Sequence, residues 1–295
     1  MKALWIMLKT LLVLVVLVLA ALGVLYGIGT ARLQRRPTNP IPAFAATSDS
    51  AALARGRHIA EVICRDCHGM NSTLPLAGND VNFGDVPDGP HLGELHATNL
   101  TPGGVLGRYS DGALARAIRE GVAADGRVML VMPSPQFHRL SDDDLRAIIA
   151  YLRSQPAVHR DLKPPRLNAL GRVLLGAGVF DTSLQPPVTA PVAAVPADST
   201  ARYGEYLVGL LGCRDCHGKA LRGPPRTSLA PRGPDLVTLL ATHPHDRFAL
   251  SLRAGVGADG HPLDPTKMPW PTYSTLTNVE TEALYRYIGS LGQAP

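Results

Sequence analysis

Cysteine is scarce in this chain, with four in 295 residues, and aromatic residues reach only 5%. Few aromatics, set beside 29 glycines and 26 prolines, argue against a large sheet-based core. They suit small, loop-rich domains in which a bound group supplies much of the interior, and the length leaves room for two of them. No stripe of basic residues interleaved with aromatics is present, which argues against nucleic-acid binding despite a pI near 9.2. Acidic residues are missing from the first 36 positions, where Lys2, Lys9, Arg32, Arg35 and Arg36 equal the whole formal net charge of +5. The remaining segments nearly balance, at about −3 for 37–155, about +1 for 156–200 and about +2 for 201–295.

All four cysteines fall in two copies of one pentapeptide, Cys64-Arg65-Asp66-Cys67-His68 and Cys213-Arg214-Asp215-Cys216-His217. C-x-x-C-H is the attachment site of a c-type haem. One helical turn separates the sulfurs, so that Cys64 and Cys67, or Cys213 and Cys216, meet neighbouring vinyl groups. The adjacent histidine, His68 or His217, then falls beneath the ring as an axial iron ligand. A dithiol redox pair would require a thioredoxin-like βαβ pattern, which is absent. A shared zinc site is disfavoured because the pairs lie about 150 residues apart and each has its own trailing histidine. Two covalently bound haem c groups are expected.

The run from Thr10 to Ala31 carries no charge and is mostly Leu, Val and Ala. About 20 such residues match a bilayer-spanning helix. A cleaved signal peptide would have a shorter apolar region of about 7–15 residues and a nearby small-x-small site. Ala43-Phe44-Ala45 lies too far downstream for that role. Residues 1–36 therefore read as an uncleaved membrane anchor with flanking bases, and 37–49 as a linker. Haem c is attached outside the cytoplasm, which places everything after the anchor in the periplasm of a bacterial inner-membrane protein.

Reading outward from the two motifs shows one unit written twice. Ala54–Ala60 and Arg202–Val208 each begin a helix running into the first cysteine. Gly89-Pro90-His91-Leu92 aligns with Gly233-Pro234-Asp235-Leu236. Amphipathic helices at 111–120 and 244–254 each stop at a glycine, Gly121 or Gly255. Met132-Pro133-Ser134-Pro135 matches Met268-Pro269-Trp270-Pro271, and from there the halves run together without a gap. Ser141-x-x-Asp144 and Thr277-x-x-Glu280 open the terminal helices as caps. Ile148, Tyr151 and Leu152 match Leu284, Tyr287 and Ile288 on one face, a core stripe. Residues 50–155 and 201–295 form the two domains, joined by a Pro/Ala-rich connector at 156–200 in which 167–180 has enough apolar character to pack across a domain surface.

The order helix, C-x-x-C-H, Gly-Pro-x-Leu, short helix, Met-Pro, terminal helix resembles the class I cytochrome c domain, over about 50–155 and 201–292. The resemblance implies an all-α fold: an N-terminal transmembrane helix followed by two tandem class I cytochrome c domains whose first and last helices cross. It implies methionine as sixth iron ligand, and a proline carbonyl that accepts from the axial histidine: Pro90 for His68 and Pro234 for His217. The first half, through Ala97-Thr98-Asn99-Leu100-Thr101-Pro102 and Ser141–Leu145, is similar to membrane-associated cytochrome c subunits of alcohol dehydrogenase complexes. Those subunits commonly carry three haem motifs where this chain has two, and its second half lacks the Asn-Leu-Thr-Pro segment.

Met268 is the only methionine after Cys216. In the first half Met70 is too close to His68 to reach the opposite face, and Met129 competes with Met132. Only Met132 shares the Met-Pro-x-Pro frame. His138, His243, His245 and His261 read as surface or loop residues rather than bis-histidine ligands. The expected function is transfer of single electrons between a periplasmic donor, such as a dehydrogenase, and a respiratory-chain acceptor, a cytochrome or oxidase. No catalytic base or nucleophile is needed, so the chain is expected to be an electron carrier and not itself an enzyme. The alternative, a dihaem peroxidase-like oxidoreductase, needs an open sixth position on one iron, and two well-framed Met-Pro segments argue against it. A membrane-linked sensor would require a cytoplasmic output module.

Overall fold

A computed structural model describes residues 1–47, 49–87, 89–224 and 232–292; the last three residues of the second expected domain lie outside this set. The first element, α1 (Lys2–Gln34), is a helix of 33 residues, about 50 Å long at 1.5 Å per residue. Among the described residues it is the one helix long and apolar enough to cross a membrane. A hydrocarbon layer of about 30 Å takes only about 20 residues, so its last turns would extend beyond one.

The first half contains α2 (Ser50–Ile63), α3 (Arg65–His68), α4 (Asp111–Glu120), α5 (Ser134–Phe137) and α6 (Asp142–Ser154). After α7 (Ala169–Gly176), the second half repeats the pattern with α8 (Ala201–Leu210), α9 (Cys213–His217), α10 (Leu236–Thr242), α11 (His245–Ala254), α12 (Trp270–Tyr273) and α13 (Asn278–Ser290). Strand content among the described residues is one antiparallel pair, β1 (Gly93–Glu94) with β2 (Arg166–Leu167), Gly93 opposite Leu167. The protein is mostly helical.

Local sequence explains where the helices begin and end. The Ser110 hydroxyl accepts from the Ala113 amide at the start of α4, and Ser141 accepts from Asp144 at the start of α6. Thr277 and Glu280 form a reciprocal capping box on α13. Gly121 and Gly255, at φ 67° and 64°, take the left-handed conformation that ends α4 and α11.

In each half the first helix crosses the last so closely that a side chain at the crossing is excluded. A Cβ on Gly56 would lie 1.9 Å from the Ala147 carbonyl, and one on Gly204 would lie 2.0 Å from the Ala283 carbonyl. The crossings bury Ile148 and Leu152 in the first half and Leu284 and Ile288 in the second. Helix α7 packs on the end of α1 by the same device. A Cβ on Gly29 would lie 1.9 Å from the Arg172 carbonyl, and one on Gly176 would lie 1.9 Å from the Leu25 carbonyl. The Arg32 guanidinium donates to the Leu175 carbonyl at 2.8 Å, and Arg172 donates to Thr30 Oγ1 at 3.2 Å. The connector thus joins α1 to the first half through α7 and β2, and further along it the Val192 carbonyl accepts from the Asp142 amide.

Candidate functional site

Helix α2 ends at Cys64 and α3 carries Cys67 and His68, so one turn presents both sulfurs and the imidazole together. His68 is buried, and its Nδ1 donates to the Thr98 carbonyl at 2.8 Å. Burial pulls its pKa below the ordinary imidazole value, against the opposing hydrogen bond to Thr98. A neutral ring that gives its Nδ1 proton to a carbonyl leaves the Nε2 lone pair free, which is the form that binds a metal. Cys67 and His68 line a cavity of about 350 Å³, and Met129, Met132, Phe83 and Leu95 share its wall. Met132 follows Val131, a β-branched residue at φ 67°, and such left-handed backbone strain collects at functional sites. Met70 is exposed. Both Met129 and Met132 therefore reach the cavity, while Met70 stands apart from it.

In the second half Gly212 hands α8 on to α9, and His217 is buried with Nδ1 2.9 Å from the Pro234 carbonyl. Burial lowers its pKa as well. Met268 packs at the edge of the second core, and the Trp270 amide donates to its carbonyl at 2.7 Å. The Ser134 amide makes the same bond to Met132, at 2.8 Å. The four thiols are free. Burial pushes Cys64 and Cys213 up to about 12, so neither is a thiolate at neutral pH. Uncharged thiols, a neutral histidine with a free Nε2 and an apolar wall bearing thioether sulfur fit a covalent haem.

The expectation for Pro90 is corrected. Pro90 is exposed, and the Thr98 carbonyl takes the place assigned to it. The carbonyl acceptor lies 30 positions after His68 but only 17 after His217. Ala97-Thr98-Asn99-Leu100 is thus the counterpart of Gly233-Pro234-Asp235-Leu236. Matching backbone bonds fix this register: Leu100 to Leu76 beside Leu236 to Leu221, and Gly78 to His68 beside Gly223 to His217. The first half holds an extra excursion before Thr98, which carries Pro90 and supplies β1. Its Gly-Pro-x-Leu letters match by coincidence, because the bond needs only a backbone oxygen.

Sequence reading missed the outer wall of the first cavity. Leu33 from the end of α1 and Arg166, Leu167 and Arg172 from the connector line it, as do His96 and Arg127. Their distance along the chain from the haem motif conceals this role. The four histidines read as surface or loop residues have other partners nearby: His138 the Arg119 carbonyl, His243 the Leu239 carbonyl, His245 Glu282, and His261 Asp259.

The two halves meet through α2 with α12 and α5 with α8. Their polar junction crosses over. Arg55 binds Asp144 of its own half at 2.9 Å, while His58 reaches Glu280 of the other half at 2.9 Å. In α8, Tyr203 donates to Glu280 of its own half at 3.3 Å, while Tyr206 reaches Asp144 of the other at 2.8 Å. Arg55 and Tyr203 each precede the crossing glycine, and Asp144 and Glu280 hold the same position in α6 and α13.

Residues 51–152 match the family model described as cytochrome C oxidase, cbb3-type, subunit III. That stretch is a class I cytochrome c domain, the kind of domain that carries covalent haem c and serves electron transport. The alcohol dehydrogenase (quinone) cytochrome c subunit of Gluconobacter oxydans (strain 621H) is 32% identical over 181 residues, 59% of this chain and 37% of that protein. The gluconate 2-dehydrogenase cytochrome c subunit of Pantoea cypripedii is 31% identical over 189 residues, 59% and 40% of the two chains. The fructose dehydrogenase cytochrome subunit of Gluconobacter japonicus is 29% identical over 128 residues, 42% of this chain and 24% of that one. The chain spans less than half the length of each of these relatives.

Proposed function

We propose that this chain is a membrane-anchored dihaem c-type cytochrome that passes single electrons from a periplasmic dehydrogenase to an acceptor in the respiratory chain. The observation that carries the reading is the repeated arrangement of a C-x-x-C-H turn whose buried histidine gives Nδ1–H to a backbone carbonyl and keeps Nε2 free. Haem c would be held by Cys64 and Cys67 with His68 and Met132, and by Cys213 and Cys216 with His217 and Met268. The carbonyls of Thr98 and Pro234 orient the histidines. The haem domains are 50–155 and 201–295, and α1 anchors them on the periplasmic face. Relatives named as cytochrome subunits of alcohol, gluconate and fructose dehydrogenases support a dehydrogenase as donor. The outer wall of the first cavity includes Leu33 at the end of α1, which favours the first domain as the one nearer the membrane.

The protein's part is to bury each porphyrin, fix the axial ligands and set the potentials through their surroundings. The test is haem content and ligation of the full chain purified from membranes. Two haems per chain by pyridine haemochrome, a low-spin spectrum, and loss of that spectrum in Met132→Ala and Met268→Ala are expected. Fewer than two haems, or a native spectrum in both variants, would overturn the assignment. Co-purification from solubilised membranes identifies the dehydrogenase.

A further inference from the structure

The pentapeptides repeat not only their cysteines and histidine but also the Arg-Asp pair between the cysteines, which thioether attachment does not require. The junction supplies a use for the aspartates. Asp66 accepts from the Thr272 hydroxyl, and Asp215 accepts from the Gln136 amide. Gln136 and Thr272 are equivalent residues, each four positions after the Met of its own Met-Pro segment. Each attachment turn is therefore hydrogen-bonded to the methionine-bearing segment of the other half.

The arginines are not used symmetrically. Arg65 donates to the Pro271 carbonyl across the junction at 3.1 Å, whereas Arg214 donates to Tyr287 of its own half at 2.7 Å. The reciprocity reappears in the apolar layer. Val62 packs in the core of the second half, and its counterpart Leu210 packs in the core of the first. Tyr273, in the same helix as Thr272, donates to the Leu211 carbonyl just before the second attachment turn, at 3.1 Å.

We propose that Asp66 and Asp215 are positioning residues whose reciprocal clamps, Asp66–Thr272 and Asp215–Gln136, hold the two attachment turns in fixed relation, so that an electron passes between the haems within one chain. With haem held at both turns, the clamps would serve a one-electron exchange in which one iron would be oxidised as the other is reduced, with no proton or group transferred. The inference rests on the dihaem reading above and adds the route between its two centres.

The test uses the full haem-loaded chain in detergent micelles. One haem is reduced by a light pulse and the approach to equilibrium between the haems is followed. In the native chain the rate is expected to be independent of protein concentration. Gln136→Glu with Thr272→Glu sets a carboxylate against each aspartate and is expected to slow the exchange about tenfold or more, because like charges oppose docking and misplacement penalises the transfer. Adding Asp66→Gln and Asp215→Gln places an amide against the new carboxylate at each clamp, with donor and acceptor exchanged, and should return the rate to near native. If the charged pair prevents haem loading, Gln136→Ala with Thr272→Ala carries the same comparison. An unchanged rate in the clamp variants, a lack of rescue, or a native rate that scales with protein concentration overturns the proposal. A native chain with fewer than two haems instead overturns the dihaem reading beneath it.

Discussion

Replacing Glu280 by Gln tests whether the junction between the halves is held electrostatically. Glu280 is 5% exposed and accepts from His58 through both oxygens at 2.9 Å. It also accepts from the Thr277 amide at 2.9 Å and from the Tyr203 hydroxyl at 3.3 Å. Burial works to raise its pKa, but the hydrogen bonds from His58 and Thr277 outweigh it and hold the carboxyl at about 2, against an ordinary 4.5. The bond to Glu280 likewise raises His58 above 6.5, against the opposing effect of burial. A displacement from 4.5 to about 2 corresponds to about 3 kcal/mol of folded-state stability.

The sign follows from the protonation states. A depressed carboxyl stabilises the fold above its unfolded value of 4.5 and loses that contribution as pH falls through about 2. A raised histidine contributes fully below 6.5 and loses its share as pH rises through the raised value. Between pH 4.5 and 6.5 both contributions are present. There, Glu280→Gln is expected to destabilise the chain by about 3 kcal/mol, or roughly 6–12 °C in melting temperature. The gap should shrink as pH falls below 4.5 and nearly close at about pH 2, where the native residue is half protonated. Guanidinium unfolding of the haem-loaded chain, followed by circular dichroism across this range, measures it. A pH-independent gap, or one that widens in acid, would refute the reasoning.

Other perturbations separate neighbouring roles. Pro90→Ala should leave the spectrum and potential of the first haem unchanged, because the Thr98 carbonyl serves His68; a shifted potential by redox titration would contradict this. Met132→Leu should lower the first haem's potential through loss of thioether ligation, whereas Met129→Leu should leave its ferric charge-transfer band intact; the reverse pattern would exchange the two roles. Gly176→Val places side-chain atoms against the Leu25 carbonyl and should cost about 1–3 kcal/mol, read as faster proteolysis of the connector. Tyr206→Phe removes the bond to Asp144 across the junction and should cost about 1 kcal/mol, measured as a lowered denaturation midpoint.

What could be read from the sequence was whatever local chemistry determines. The span of α4, the glycine stops and the Thr277–Glu280 box follow from residues within one or two turns of one another. The two C-x-x-C-H turns were legible because haem attachment and axial ligation demand five consecutive positions. Pro90 misled because the bond to His68 uses a backbone oxygen, which has no signature in the letters, while a Gly-Pro-x-Leu look-alike sat in an excursion found only in the first half. The His58–Glu280 pair spans 222 positions, beyond the reach of any periodicity. The connector's apolar stretch does pack on the first half, with Leu167 and Leu175 buried against Leu95. The glycines that also seat α7 on α1, Gly29 and Gly176, mean nothing singly and become informative only as a crossing pair.

The halves carry matched candidate ligands, so any difference between two haems bound there must arise from what surrounds them. The first cavity has Arg127, Arg166 and Arg172 among its lining residues. Asp125 offsets Arg127 at 2.6 Å, and Thr30 accepts from Arg172 without cancelling its charge. Reduction removes one positive charge from an iron centre, so nearby cations favour the reduced state, and most strongly where water is excluded. Two of these three cations come from the connector, the segment that also packs on α1. Arg127 and Arg166 are exposed and Arg172 is half-buried, so Arg172 would act most strongly on a haem held in this cavity, and it belongs to the helix that packs on α1.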